Sequence, residues 1–136
     1  MTDSLTNKTK WRIPDNTVIP ALGYLLIWAD NENGQNNSTN SDRHASFQLS
    51  AGGEEIGLFT DTGLQVDAVV FGAQSNDVSQ GRYPDGSPSI SLMTNRTPRA
   101  ANFIAGSGNQ PPVLARIGNR SEIGRASCRE RVYVLV

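Results

Sequence analysis

The sequence predicts an all-β fold, an antiparallel β-sandwich, on three observations. Apolar and polar residues alternate with a period of two in several segments, the segments are short, and Gly, Pro, Asn and Asp turn signals separate them. No stretch sustains a 3.6-residue apolar period. With 136 residues, 37% hydrophobic and 18% charged, the chain carries enough apolar material for one core.

Taken in order, Trp11-Arg12-Ile13 is a short apolar start, closed by the turn signal Pro14-Asp15-Asn16. Leu22 to Ala29 is the strongest strand candidate. Tyr24, Leu26 and Trp28 point one way, and Leu25, Ile27 and Ala29 the other. Both faces are apolar, so both are expected to be covered. Ala45 to Ser50 alternates cleanly, with Ala45, Phe47 and Leu49 inward and Ser46, Gln48 and Ser50 outward; Ala51-Gly52-Gly53 then turns the chain. Glu54 to Phe59 and Leu64 to Phe71 form a hairpin around Thr60-Asp61-Thr62-Gly63, where Gly63 can adopt the left-handed conformation. Leu64, Val66, Ala68 and Val70 make an apolar row, and Gln65 and Asp67 share the other side with Val69 and Phe71. Tyr83-Pro84-Asp85-Gly86 is a further turn, followed by a short strand near Ser89 to Met93.

Composition excludes several classes of function. A net charge of −1, from 12 Lys and Arg against 13 Asp and Glu, offers no electrostatic basis for binding nucleic acid or an anionic membrane. The longest apolar run, Leu25 to Ala29, falls far short of the roughly 20 residues that span a bilayer. One Cys cannot form an internal disulfide, and one His cannot form a multi-His metal centre. No metal set, cofactor site or catalytic set is expected.

The chain divides into three stretches. Residues 1–104 are read as the sandwich. Residues 105–121, from Ala105-Gly106-Ser107-Gly108 through Asn109-Gln110-Pro111-Pro112 to Asn119, form a linker and the start of a second unit, which resembles the opening strand of cadherin-like and immunoglobulin-like repeats. Residues 122–136 differ in composition, holding three arginines and the only Cys; the string EIGRASCRERV resembles the in-frame translation of a sequencing adapter, so a non-native tail is expected.

Several segments of the body together resemble the lamin-tail domain, an immunoglobulin-like β-sandwich whose bacterial versions occur in large secreted or surface proteins. The matching stretches carry Trp11 and Pro14, then Gly23, Tyr24 and Trp28, then Phe47 and Leu49. Glu54 and Asp67 continue the series, followed by Ser79, Gly81, Arg82, Pro84, Asp85 and Gly86, and Pro98 and Asn102 close it. Order and spacing hold over roughly residues 5 to 102. Arg99 departs from the family pattern, which has Gly there; if that Gly serves a positive φ, Arg costs about a kcal/mol of strain. The resemblance also implies core strands ahead of Met1. Their absence would remove three or four apolar side chains worth about 1.5–3 kcal/mol each, so a marginal domain is expected.

The candidate sites each have a structural reading. His44, the sole imidazole, has no Gly-x-Ser-x-Gly elbow to accompany it, and its place at the start of a strand accounts for it. Asp30 to Asp42 is acidic and amide-rich, but an EF-hand frame puts Gly34 where a ligand is needed and supplies no closing glutamate, so a long solvated hairpin loop is expected. Glu54 and Glu55 are adjacent on a strand and face opposite ways, which rules against an acid/base pair. Asp67, Asp77, Arg82 and Asp85 suggest a salt-bridge set holding strand ends. Tyr24, Trp28 and Tyr83 could stack on sugars, although core packing is the commoner use. Sequons stand at Asn7, Asn37, Asn95 and Asn119.

The expected function is a non-catalytic spacer or interaction module of a large extracellular or cell-surface bacterial protein. Its expected partners are other domains of the same chain, proteins or surface polysaccharide, with no nucleic acid and no membrane insertion. Two alternatives are an accessory domain of a secreted hydrolase or kinase-like enzyme and a glycan-binding module, the latter requiring Trp28 to be solvent-exposed.

Overall fold

The structure, a computed structural model, describes residues 1–105 and the backbone of residues 132–135. Among the described residues every extended element is a β-strand and the one helical turn is a short 3-10 helix at Asn33–Gln35. The strands are β1 (Leu25–Trp28), β2 (Arg43–His44), β3 (Glu54–Phe59), β4 (Gln65–Phe71), β5 (Ser79–Arg82), β6 (Ile90–Met93) and β7 (Val132–Leu135). The fold is all-β and sandwich-like but incomplete. The expected linker and repeat start from residue 106, and the expected tail up to residue 131, lie outside the described residues; β7 belongs to that tail stretch.

Two hairpins are antiparallel; β3–β4 was expected, and β5–β6 was not. In β3–β4 the register runs from Glu54 opposite Phe71 to Leu58 opposite Asp67, then shifts at Phe59, which faces Gln65. The Thr60–Gly63 turn closes it, with Gly63 at φ 81°. β5–β6 pairs Ser79 with Met93 and Arg82 with Ile90. β5 has no apolar alternation to announce it; pairing with β6 makes it a strand.

The third sheet differs from the expectation. β1 lies between β2 and β7, and both pairings are parallel. Residues 29–42 therefore do not form a hairpin loop. They return the chain so that β2 runs alongside β1, the long crossover that a parallel pair demands.

Two other segments depart from the strand reading. Ala45 to Ser50 forms no strand beyond a single bridge between Gln48 and Asp30. It nonetheless keeps the burial alternation, with Ala45, Phe47 and Leu49 buried. Leu22 is not in β1: it takes φ 59° in a turn closed by Gly23 N–H on the Pro20 carbonyl, 2.8 Å. Arg99 also takes a positive φ, 59°, the conformation in which the departure from Gly is strained.

The core gathers around β1. Ile27 is fully buried and packs with Met1, Trp11, Leu25, Ala29, Ala45, Phe47 and Leu49. Ile56, Leu58 and Phe71 of the β3–β4 hairpin pack against this cluster. The N-terminal residues are part of the architecture. The Met1 ammonium donates to the Trp11 carbonyl at 2.7 Å, and Thr2 exchanges both backbone hydrogen bonds with Gly57 on the edge of β3. Burial lowers the pKa of that α-amino group, because desolvation disfavours its charged form.

Candidate functional site

Most of the residues singled out in the sequence fall into three places. Trp11, Phe47 and Leu49 are buried in the core. Gly23 and Glu54 serve turns: a Cβ on Gly23 would come within 2.6 Å of the Pro20 ring, and the Glu54 carboxylate accepts the Ser50 N–H at 2.8 Å. Glu55, on the opposite side of the strand, accepts the Leu5 N–H.

Most of the remaining motif residues meet in a polar clasp between the two hairpins. Arg82 on β5 bonds Asp67 on β4 at 2.6 Å and also donates to the carbonyls of Ser87 and Pro88. Asp85 accepts the Asn102 N–H at 3.0 Å and faces the Tyr24 hydroxyl at 3.5 Å. Asn102 in turn donates to the Arg82 carbonyl at 2.8 Å and accepts from Thr97. Gly81 is small because the clasp is tight: a Cβ there would approach Met93 to 2.7 Å and Asn102 to 2.9 Å. Ser79 donates to the Met93 carbonyl, and Pro84 and Gly86 shape the neighbouring turn, whose Tyr83–Pro84 bond is cis and whose Gly86 has φ 78°. Asp77 is not a member; it pairs with Arg96 on the surface. The clasp bonds mostly backbone groups and strand ends, which is a structural arrangement.

A second polar group organises residues 28–44. The Trp28 indole donates to Asp42 at 3.0 Å, and Asp42 also bonds Arg99. Burial pushes the Asp42 carboxyl up, but the hydrogen bonds from Arg99 and Trp28 and the Arg99 charge hold it below its ordinary value. Nearer β1, His44 Nδ1 lies 2.6 Å from Asp30. Desolvation again raises the Asp30 carboxyl, and the His44 hydrogen bond, the Glu32 N–H and the His44 charge outweigh it, so the net shift is downward. Donor atoms of Asp30, Glu32 and His44 all lie within 4.8 Å of one another, which makes these the described residues able to hold a metal ion. Among the described residues no serine hydroxyl hydrogen-bonds His44.

The third feature is apolar. Along β4 and the turn before it, Leu64, Val66 and Val70 are 70%, 58% and 71% exposed. Ile56, Leu58 and Phe71 pack on the core, and Val66, at the register shift, borders Leu25 and Leu58 while staying largely exposed. The apolar row visible in the sequence is thus mostly open but interrupted by that shift, since alternation marks two faces without saying which one is covered. Trp28 is 38% exposed and so is not buried. Among the described residues no helix is long and apolar enough to cross a membrane.

The fold and these features define a class, an all-β module in which structural polar contacts predominate. Comparison with protein-family models, curated proteins and solved structures finds no match in any of the three.

Proposed function

We propose that this chain is a non-catalytic interaction or spacer module of the lamin-tail type, belonging to a large secreted or cell-surface bacterial protein. The observation that carries the reading is the open apolar surface of β4, at Leu64, Val66 and Val70. Exposed apolar area of this kind on a small domain marks a contact with another surface. The polar clasp supports it, because a rigid joint between hairpins suits a module that positions rather than transforms. The partner is another module of the same parent chain or a cell-surface protein or polymer.

The test is a binding comparison between the full chain and its V66T/V70T variant, using flanking modules and purified cell-wall polymers as probes. The expected result is micromolar or tighter binding by the full chain, weakened at least tenfold in the variant. No binding to any probe, together with a hydrolase activity in the chain, overturns the reading. The partial exposure of Trp28 favours one second reading, a glycan platform; polysaccharide binding that survives V66T/V70T and is lost in W28A identifies it.

A further inference from the structure

We propose that Asp30, Glu32 and His44 bind one divalent transition-metal ion of the zinc class. The three donors stand within 4.8 Å of one another although His44 is far from the two carboxylates in sequence. Parallel pairing of β2 with β1 sets Trp28 opposite His44, which places the imidazole beside the residues that follow β1. The backbone at His44 is clamped on both sides by one amide, since Asn36 accepts its N–H at 2.9 Å and donates to its carbonyl at 2.7 Å. Its imidazole is largely covered, so the nitrogen facing Asp30 is held in direction.

Charge supplies the independent argument. The cluster brings two carboxylates against one imidazole, and among the described residues no Lys or Arg pairs with either carboxylate. The Glu32 carboxylate makes no hydrogen bond to any described residue, although it stands next to a second carboxylate. An imidazolium at His44 balances one of the two carboxylates and leaves the other uncompensated, a charge that a bound divalent cation supplies. Imidazole nitrogen with carboxylate oxygen suits zinc and its first-row neighbours, whereas calcium and magnesium take oxygen alone. Tetrahedral zinc with ligand bonds of about 2.0–2.1 Å needs donors roughly 3.3 Å apart. The Asp30–His44 pair, hydrogen-bonded at 2.6 Å, opens by roughly 0.7 Å to admit the ion, and exposed Glu32 closes in from the other side. Three protein donors leave a fourth position to water or to a group on a partner.

The experiment titrates zinc, and cobalt(II) as its spectroscopic substitute, into the full chain carrying Cys128→Ser, which removes the only thiol. The expected result is one equivalent bound, with cobalt absorption bands in the visible range. E32Q is expected to bind at least tenfold more weakly with an unchanged metal-free unfolding midpoint, and H44Q to lose the cobalt bands. Wild-type affinity in E32Q, or no binding at 1 mM zinc, overturns the site. Because E32Q alters an exposed side chain, it decides the matter even if H44Q fails to fold.

Discussion

The neighbourhood of β1 and the β3–β4 hairpin are built on opposite terms. Around β1 the regular structure is short: a four-residue strand between the two-residue β2 and the four-residue β7, beside a stretch at 45–50 that is not a strand at all. Yet Leu25, Ile27, Ala45, Phe47 and Leu49 are all buried there. The β3–β4 hairpin is the most regular part of the chain, with a nearly continuous ladder, and it leaves Leu64, Val66 and Val70 in solvent. Regular hydrogen bonding and apolar burial are separate sources of order, and this chain concentrates them in different places. The core should therefore carry the stability and the hairpin the contacts.

The sharpest way to break that division is a matched pair of truncations. Ile27→Ala removes a fully buried side chain and should cost about 2–5 kcal/mol. Val70→Ala removes one that is 71% exposed and should stay within about 0.5 kcal/mol. Urea unfolding of the full chain measures both; equal effects would show that the hairpin surface is covered in solution. Next in size is Arg82→Ala, which strips Asp67 and three carbonyls of a donor and should destabilise by about 1–3 kcal/mol. Arg82→Lys should recover only part of it, because a point charge cannot fork as guanidinium does. An unchanged urea midpoint in R82A would mean that the two hairpins are held together by packing alone. A further effect has the opposite sign. Leu22→Gly relieves a left-handed backbone worth about 1–2 kcal/mol, offset in part by the greater freedom of unfolded glycine. A net gain of up to about 1 kcal/mol is expected, and a loss would show that exposed Leu22 is engaged in a contact.

The hairpin was legible because its cues are local: alternation on both strands and a Thr-Asp-Thr-Gly turn at the right spacing. The inward set at Ala45, Phe47 and Leu49 was legible for the same reason, although burial there needs no ladder. Parallel pairing at β2 was hidden, since Arg43-His44 has no strand signature and its position depends on a long crossover anchored elsewhere. β5 was hidden because Ser-Gln-Gly-Arg becomes a strand only through β6 and the clasp. The side chain of Leu22 suits a strand, while its backbone answers to the tight turn against Pro20. The clasp could be read in outline from Arg82, Asp67 and Asp85, but Asn102 as its central amide could not, because nothing near Asn102 in the sequence points to Arg82. The Asp30–His44 pair went unseen for a similar reason, since fourteen positions separate two residue types that only the crossover brings together.

The two indoles have a practical consequence. Trp11 is 4% exposed and donates to Asn33 at 2.8 Å, while Trp28 is 38% exposed and donates to Asp42. Each tryptophan is thus tied to one end of the same crossover. Their emission gives the crossover a built-in optical gauge: a blue, quencher-shielded component from the start of the segment and a red, quencher-accessible one from its end. A ligand that tightens the crossover near Asn33 shifts the first component, and a contact that engages Asp42 or Arg99 shifts the second, so a single fluorescence titration tells the two ends apart.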